Sequence, residues 1–453
     1  MTASLFARTL ASEAMLDIFS DRAIVAAMLA FEAALAEAEA DEGIVPSDAA
    51  AAIVAATRAE VDVDALVVAA RSAGSIAIPL VKTLTAAVAA RDPKAAAFVH
   101  WGGTSQDVVD TAMVLVTGRA LDLVARDLDR LVDALVELAR AHAATPILAR
   151  TLLQPAQVVS FGFKVGAWVA PLVRARQRIA RARDAALKLQ LGGAVGTLGA
   201  LGAKGEAVAR RVAERLGIRA ADPWHVQRDD WVALGCEVAI LCGSLAKIGA
   251  DIALLAQGEV GEVAEPAGEG RGGSSAMPQK RNPVAALAAI AAGVRAPQHA
   301  AALLAAMRQA HERGLGDWQA ELAEWPSLFL EAHGALVALA DATSGLEVDT
   351  VRMRANVARQ HGTVFAEAAA ALIAPAVGKQ KASSVVGALA GRAARGEGEL
   401  DALVRTDPAF AAVGADAIAA AFDVDAAARR AGEVAIARLD RLLAAPTTSG
   451  DSR

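Results

Sequence analysis

The chain has 453 residues, of which 55% are hydrophobic, 21% charged and 4% aromatic. This apolar content excludes a largely disordered chain, and the length is enough for about three domains. The net charge of −6 and the pI near 5.8 argue against nucleic acid as a general partner. The mean hydropathy of +0.38 is high for a soluble monomer, so a membrane or an extensive subunit interface has to account for it.

The most apolar stretch, residues 231–260, argues against the membrane. It is interrupted by Glu237, Lys247 and Asp251. No uncharged apolar run approaches the roughly 20 residues that cross a bilayer. We therefore predict a buried helix at the centre of a bundle and no membrane partner.

The N-terminus and the cysteines predict a cytoplasmic protein without a disulfide. Arg8, Glu13 and Asp17 interrupt the segment where a signal peptide needs an unbroken apolar core. Cys236 and Cys242 lie on one predicted helix, where two side chains six residues apart cannot be bridged, so we predict small core residues.

Helical periodicity runs along nearly the whole chain, and strand signals are scarce. A first helix is predicted within 22–46, ending at Gly43 and Pro46. Five long helices are predicted at 107–143, 157–190, 228–260, 283–309 and 316–345. Their lengths exceed the usual ~11–12 residues, which predicts an elongated all-α bundle.

We predict three helical domains from the lengths of these helices. Residues 1–110 hold shorter helices, 111–345 the long central bundle, and 346–453 shorter helices again. The polar tail 446–453 is predicted to be frayed.

The segment 268–283 is unlike the rest of the chain. It crowds glycines, two serines, two prolines and three cations between two predicted helices. Pro283 can begin the following helix. Composition alone fits a solvated linker as well as a loop that does chemistry, and the spacing of a phosphate-binding loop is absent.

Three motifs resemble the fumarase/aspartase superfamily. "GSSAMPQKRNP" (273–283) matches every fixed position of its signature loop, G-S-S-x-M-P-x-K-x-N-P. "HWGGTSQDVVDTA" (100–112) resembles the first active-site segment of the adenylosuccinate lyase and carboxymuconate cycloisomerase branches, and "ARTLLQPAQVVSFGFK" (149–164) resembles the second. The resemblance implies an all-helical homotetramer whose active sites combine residues of three subunits, with no cofactor.

The resemblance also implies roles for particular residues. The resemblance assigns proton transfer at a carbon beside a carboxylate to Ser274, with Ser275 as the alternative. Backbone N–H groups would stabilise the alkoxide of the serine. The residues implied in binding a small polycarboxylate are Lys280, Asn282, Thr104, Ser105 and Gln154, with Arg313 and Arg228 as further cations or, equally, as ordinary ion pairs. His100 is either a general acid or a residue that orients the substrate.

Leu152 departs from the motif, because lyases of the superfamily usually carry histidine there. Expulsion of an amine needs an acid, whereas a carboxylate leaving group, with a pKa near ~4, does not. The departure favours the cycloisomerase branch. The expected reaction is lactonisation of the tricarboxylate 3-carboxy-cis,cis-muconate, which is a step of the β-ketoadipate pathway. The alternatives are adenylosuccinate lyase, another polycarboxylate lyase, and a catalytically silent structural relative.

Two further features carry no chemistry of their own in this interpretation. The glycine-rich segment 190–202 follows no strand, so it is no dinucleotide motif, and by resemblance it is a turn near the active site. His142 is predicted to cap a helix end, while His299, His333 and His361 show no partner pattern and no metal-ligand spacing.

Overall fold

The computed structural model describes residues 5–268 and 270–444. The predicted frayed tail therefore lies outside the described residues, as does Glu269 of the predicted loop. The chain divides into two compact units. Unit 1 comprises Met1–Asp127, Ala175–Gly243 and Ala291–Val337, and unit 2 comprises Leu128–Arg174, Ser244–Ile290 and Ala338–Arg453. The three-domain division stays a prediction.

The fold is all-α, as predicted. In chain order the helices are α1 (Leu5–Arg8), α2 (Glu13–Ile18), α3 (Asp21–Asp41), α4 (Ser47–Ala56), α5 (Val63–Ala73), α6 (Ala77–Ala89), α7 (Ser105–Ala141), α8 (Phe161–Ala186), α9 (Gly205–Leu216), α10 (Asp229–Leu255), α11 (Val284–Ala306), α12 (Asp317–Thr343), α13 (Thr350–Ala358), α14 (Ala366–Val377), α15 (Lys379–Ala394), α16 (Leu400–Thr406), α17 (Ala415–Ala421) and α18 (Val424–Ala444). Short 3₁₀ segments lie at Ala95–Phe98, Gly199–Lys204, Thr363–Phe365 and Pro408–Phe410.

The five predicted long helices correspond to α7, α8, α10, α11 and α12, which span 23 to 37 residues. Continuous apolar periodicity over such lengths is the most dependable signal in a single sequence, because many residues agree on one period. The unit boundaries fall inside these five helices, so each contributes residues to both units.

Two antiparallel strand pairs were not predicted. Strands β1 (Pro146–Thr151) and β2 (Gln154–Ser160) form a hairpin in unit 2, and β3 (Val263–Ala264) pairs with β4 (Glu347–Val348). The predicted helix 157–190 therefore begins only at Phe161. Its first predicted residues belong to β2, because they pair with buried residues of β1 rather than continue the helical stripe.

Unit 1 has an indole stack in its core. The rings of Trp231 and Trp325 lie parallel with centroids 3.9 Å apart, and Trp224 lies 5.8 Å from Trp231. Trp325 Nε1 donates to Thr117 Oγ1 at 2.9 Å, which satisfies the buried indole N–H. This stack joins α7, α10 and α12 and fixes the helices that carry the site residues of unit 1.

Unit 2 fixes its own helices by aromatic and close backbone packing. Phe161 and Trp168 on α8 pack edge to face, and Trp168 Nε1 donates to Asp251 on α10 at 2.6 Å. Gly249 brings α10 close to α11, since a Cβ there would lie 2.9 Å from the carbonyl oxygen of Ala286. Substitution of this glycine would force the two helices apart.

Helix α10 is the one helix in the described part of the chain that is long and apolar enough to cross a bilayer. Within that window 44% of the residues are buried inside the protein. Cys242, Leu245 and Ile248 are fully buried, as expected for a core helix of a bundle. Both cysteines are free; Cys242 is buried and Cys236 is half-buried.

Candidate active site

In unit 1 the start of α7 brings three of the predicted binding residues together. Arg313 donates from Nη1 to Thr104 Oγ1 at 2.7 Å and from Nη2 to Ser105 Oγ at 3.2 Å. The backbone N–H of Thr104 donates to Asp107 Oδ2 at 3.0 Å, which caps the first turn of the helix. Two hydroxyl groups and a guanidinium thus form one polar cluster.

Asp107 is the centre of a buried network that the sequence interpretation missed. Its carboxylate is fully buried and accepts from the backbone N–H groups of Gly192 and Gly193 at 3.0 and 2.9 Å. Gln190 Nε2 donates to it at 2.9 Å, and His225 Nε2 lies 2.9 Å from the same carboxylate. The network joins the glycine-rich segment 190–202 to the start of α7.

Arg228 is held by two carboxylates. Its guanidinium donates to Asp110 at 2.8 and 3.2 Å and to Glu321, with Nε 3.1 Å from Glu321 Oε2, and the side chain is fully buried. Burial alone lowers the pKa of Arg228, but the charges of Asp110 and Glu321 outweigh it and raise the pKa. The arrangement supports the ion-pair alternative for Arg228, because both planar edges of the guanidinium are occupied.

His100 also has an acidic partner. Its Nδ1 lies 2.7 Å from Oε1 of Glu32, whose side chain is fully buried on α3. The backbone of His100 has φ 59°, a left-handed conformation that histidine adopts more readily than most residues.

In unit 2 the predicted signature loop holds Ser274 by backbone donors. Ser274 Oγ accepts from the N–H of Met277 at 3.2 Å and from the N–H of Ala276 at 3.4 Å. Ser275 is exposed, and no hydrogen bond of its side chain is found among the described residues. Donors aimed at an oxygen stabilise negative charge on it, so the geometry favours Ser274 over Ser275 for proton transfer.

The base of the loop is closed by backbone pairing. The N–H of Asn282 donates to the carbonyl of Gly272 at 2.8 Å, and Asn282 Nδ2 lies 3.3 Å from the carbonyl of Gly273. Gly272 has φ 66°, and a Cβ there would lie 2.4 Å from the carbonyl oxygen of Asn282, so only glycine fits. Lys280, two residues before Asn282, is exposed.

The helix that follows the loop is capped by a buried acid. Glu265 accepts from the N–H groups of Ala285 and Ala286 at 3.0 and 2.9 Å, at the start of α11. A carboxylate at a helix N-terminus is stabilised by the unpaired N–H groups and by the helix dipole. This cap fixes the exit of the loop.

Gln154 and Leu152 lie at the tip of the β1–β2 hairpin. Thr151 pairs with Gln154, so Leu152 and Leu153 form a two-residue turn with φ 51° and 66°. Positive φ at both central residues is typical of a type I′ turn, which favours asparagine and glycine rather than leucine. Leu152 is 96% exposed within the chain.

The hairpin is anchored by an ion pair to a buried glutamate in the same unit. Arg150 donates from both terminal nitrogens to Glu262 at 2.9 and 2.8 Å, and Asn356 Nδ2 donates to the same carboxylate at 2.8 Å. Such bidentate geometry fixes the direction of β1, so the exposed turn stands on a rigid base.

The predicted site residues thus form two groups. Unit 1 contains His100, Thr104, Ser105, Arg313 and Arg228, and unit 2 contains Gln154, Ser274, Ser275, Lys280 and Asn282. Among the described residues no group of three or more histidine, cysteine or acidic side chains is arranged to hold a metal ion.

Comparison with known proteins identifies a matching family and similar enzymes. A family described as lyase matches residues 7–317. A 3-carboxy-cis,cis-muconate cycloisomerase of Bradyrhizobium diazoefficiens is 45% identical over 92% of this chain and 94% of its own length. A nitrosuccinate lyase of Streptomyces davaonensis is also 45% identical, over 81% of this chain and 79% of its own length.

A solved structure is similar over almost the whole chain. The 3-carboxy-cis,cis-muconate lactonizing enzyme of Pseudomonas putida has a TM-score of 0.89 and 41% identity, covering 98% of this chain and 100% of that one. Together with the family match over residues 7–317, this similarity shows that the chain belongs to the lyase family.

Proposed function

We propose that the protein is a cycloisomerase that converts 3-carboxy-cis,cis-muconate into a carboxymuconolactone. A carboxylate oxygen of the substrate adds to the carbon–carbon double bond, and a proton is delivered to the carbon beside another carboxylate. The observation that carries the proposal is the hydroxyl of Ser274, held by the N–H groups of Ala276 and Met277 at 3.4 and 3.2 Å in an intact signature loop.

The proton transfer follows from that geometry. Ring closure forms the new carbon–oxygen bond and moves the π electrons towards the neighbouring carboxylate, giving an enediolate. The Ser274 hydroxyl donates its proton to the adjacent carbon, and its oxygen becomes an alkoxide that the two N–H donors stabilise. Solvent then returns the proton to the serine.

Binding of the carboxylates falls to the remaining polar groups. Arg313 orients the hydroxyl groups of Thr104 and Ser105 within unit 1, while Lys280 and Gln154 are exposed in unit 2. Because the attacking carboxylate belongs to the substrate itself, a fixed orientation supplies part of the acceleration.

Leu152 supports lactonisation over amine elimination. An apolar side chain cannot protonate an amine leaving group, whereas the reverse of lactonisation expels a carboxylate, which needs no acid. The same reasoning makes adenylosuccinate a poor substrate.

A second candidate function is elimination of nitrite from a nitro-substituted succinate. The 45% identity to a nitrosuccinate lyase favours it. Leu152 does not distinguish the two reactions, because nitrite, like a carboxylate, leaves as a stable anion without protonation.

The decisive experiment is an ultraviolet assay with both substrates in parallel. Lactonisation removes conjugation, so absorbance of 3-carboxy-cis,cis-muconate should fall with the wild-type protein and persist with Ser274→Ala. Nitrosuccinate should release no nitrite in a colorimetric assay. Nitrite release with an unchanged muconate signal would replace the first function by the second, and adenylosuccinate would be the next substrate if both signals were unchanged.

We further propose a homotetramer in the cytoplasm with sites shared between subunits. Ile240 and Leu254 of α10 and Leu287, Val294 and Leu304 of α11 are 40% to 66% exposed within the chain. Faces of this kind on central helices fit burial against further copies of the chain. Light scattering at micromolar concentration should give a mass near four chains, and a monomer would contradict the proposal.

A further inference from the structure

The proposed substrate carries three carboxylates, and the predicted binding residues contain too few free cations to pair with each of them. Arg228 is already paired with both Asp110 and Glu321 in a fully buried cluster. It has no edge left for a ligand, so Lys280 and Arg313 are the remaining residues of the predicted cation set.

His100 lies in the segment that carries Thr104 and Ser105, and its ring is fixed. Nδ1 lies 2.7 Å from Glu32 Oε1, and a Cβ on Gly103 would lie 3.1 Å from the His100 Cε1 atom. The left-handed φ of 59° at His100 is uncommon for a residue other than glycine and sets the direction of its side chain. Within the residues described, the hydrogen bond of the His100 ring is made by Nδ1, and Nε2 makes none, so this nitrogen is available to a ligand.

Glu32 is suited to keep this imidazole charged. Its side chain is fully buried, and its second oxygen, Oε2, has no hydrogen-bond partner among the described residues. Burial lowers the pKa of His100, but the hydrogen bond and the charge of Glu32, with a further contribution from Asp107, more than offset burial and raise the pKa.

The other fully buried acid on α3, Glu39, adds no charge of its own near Glu32. Both carboxyl oxygens of Glu39 are buried without a hydrogen-bond partner among the described residues. Burial, and then the charge of Glu32, raise the pKa of Glu39 to about 9, so it is a neutral acid near pH 7. Of these two acids, Glu32 is the one that contacts His100.

We propose that Glu32 is a positioning residue that holds His100 as an imidazolium, and that His100 binds a substrate carboxylate through Nε2 rather than serving as the proton donor. The assignment rests on the proposed function, since it deepens the role of the same segment. In this assignment His100 orients the substrate, and Ser274 transfers the proton.

The first test separates binding from chemistry with Glu32→Gln and His100→Asn in the full-length protein. Each change should raise KM for 3-carboxy-cis,cis-muconate about ten- to hundredfold, the loss expected for a hydrogen bond to a charged group, and leave kcat within about threefold. The double variant should be no worse than His100→Asn, since Glu32 acts through the histidine. A fall in kcat at unchanged KM would overturn the proposal and make His100 the proton donor.

The second test needs no substrate. Diethyl pyrocarbonate acylates neutral imidazole, so the pH dependence of its reaction at His100, followed by peptide mass spectrometry, reports the charge of the ring. The midpoint should fall in Glu32→Gln and stay unchanged in Glu37→Gln, a matched change on the same helix at a half-exposed acid paired with Arg215. An unchanged midpoint in Glu32→Gln would refute the role of Glu32, whereas a wild-type protein without lactonising activity would refute the proposed function and leave this measurement intact.

Discussion

Glu39→Gln should stabilise the protein, and the gain should grow with pH. Glu39 is 1% exposed, and burial raises its pKa from the ordinary value of 4.5 to about 9. The folded state therefore holds a proton that the unfolded state releases above pH 4.5, and the free energy of unfolding falls as pH rises from 4.5 to about 9. Each pH unit in that window costs about 1.4 kcal/mol.

Glutamine keeps the shape of the neutral acid and removes the cost of holding a proton. The expected gain in unfolding free energy is about 1, 3 and 5 kcal/mol near pH 5.5, 7 and 8.5. Urea titrations at these values, with thermal melts in parallel, measure it. Glu37→Gln is the control and should show no gain that grows with pH, because Glu37 is half exposed on the same helix. A gain for Glu39→Gln that is the same at all three pH values would refute a buried neutral acid.

Three further changes test the loop, the buried ion pair and the hairpin. Ser274→Ala should lower kcat about 10²–10⁴-fold while Ser275→Ala stays within about tenfold in the ultraviolet assay, and equal losses would contradict the assignment. Arg228→Met should lower the free energy of unfolding in urea by about 3–5 kcal/mol, because Asp110 and Glu321 lose their buried cation. The control Arg354→Gln, at an exposed ion pair, should lower it by about 1 kcal/mol or less. Leu153→Gly should raise stability by about 0.5–1 kcal/mol, since φ is 66° at this exposed turn, and a loss would argue against the strained turn.

The sequence predicted the long helices well and the hairpin not at all. A stripe of apolar residues over 23 to 37 positions defines the helical period clearly. The ends of these helices differ from the predicted ends by a few residues, because tertiary contacts decide where a helix stops. The strands β1 and β2 are 6 and 7 residues long, and β2 carries only two buried side chains, Val158 and Ser160. Such short segments are specified by their pairing and by the buried Glu262 that holds Arg150, neither of which a local pattern contains.

The hydrogen-bond partners of the polar site residues could not be predicted from the sequence for the same reason. Asp107 stands inside a motif that resemblance identified, yet its donors Gln190 and His225 lie 83 and 118 residues away in the chain. His299 and His333 showed no partner pattern in the sequence. In the folded chain His299 lies 2.6 Å from Glu324, and His333 lies 2.9 Å from Asp127 across 206 residues.

One local signal was present and pointed to chemistry. On α3 the buried side chains of Met28, Glu32, Leu35 and Glu39 recur at spacings of four, three and four, so two acids occupy positions of the apolar stripe. A carboxylate at such a position is too costly to stay charged and unpaired. The protein resolves the conflict in two ways, since Glu32 pairs with His100 and Glu39 keeps its proton. Acids at core positions of an otherwise regular helix are therefore a sequence-level pointer to a buried charge pair or a neutral acid, and here that pair lies beside the first active-site motif.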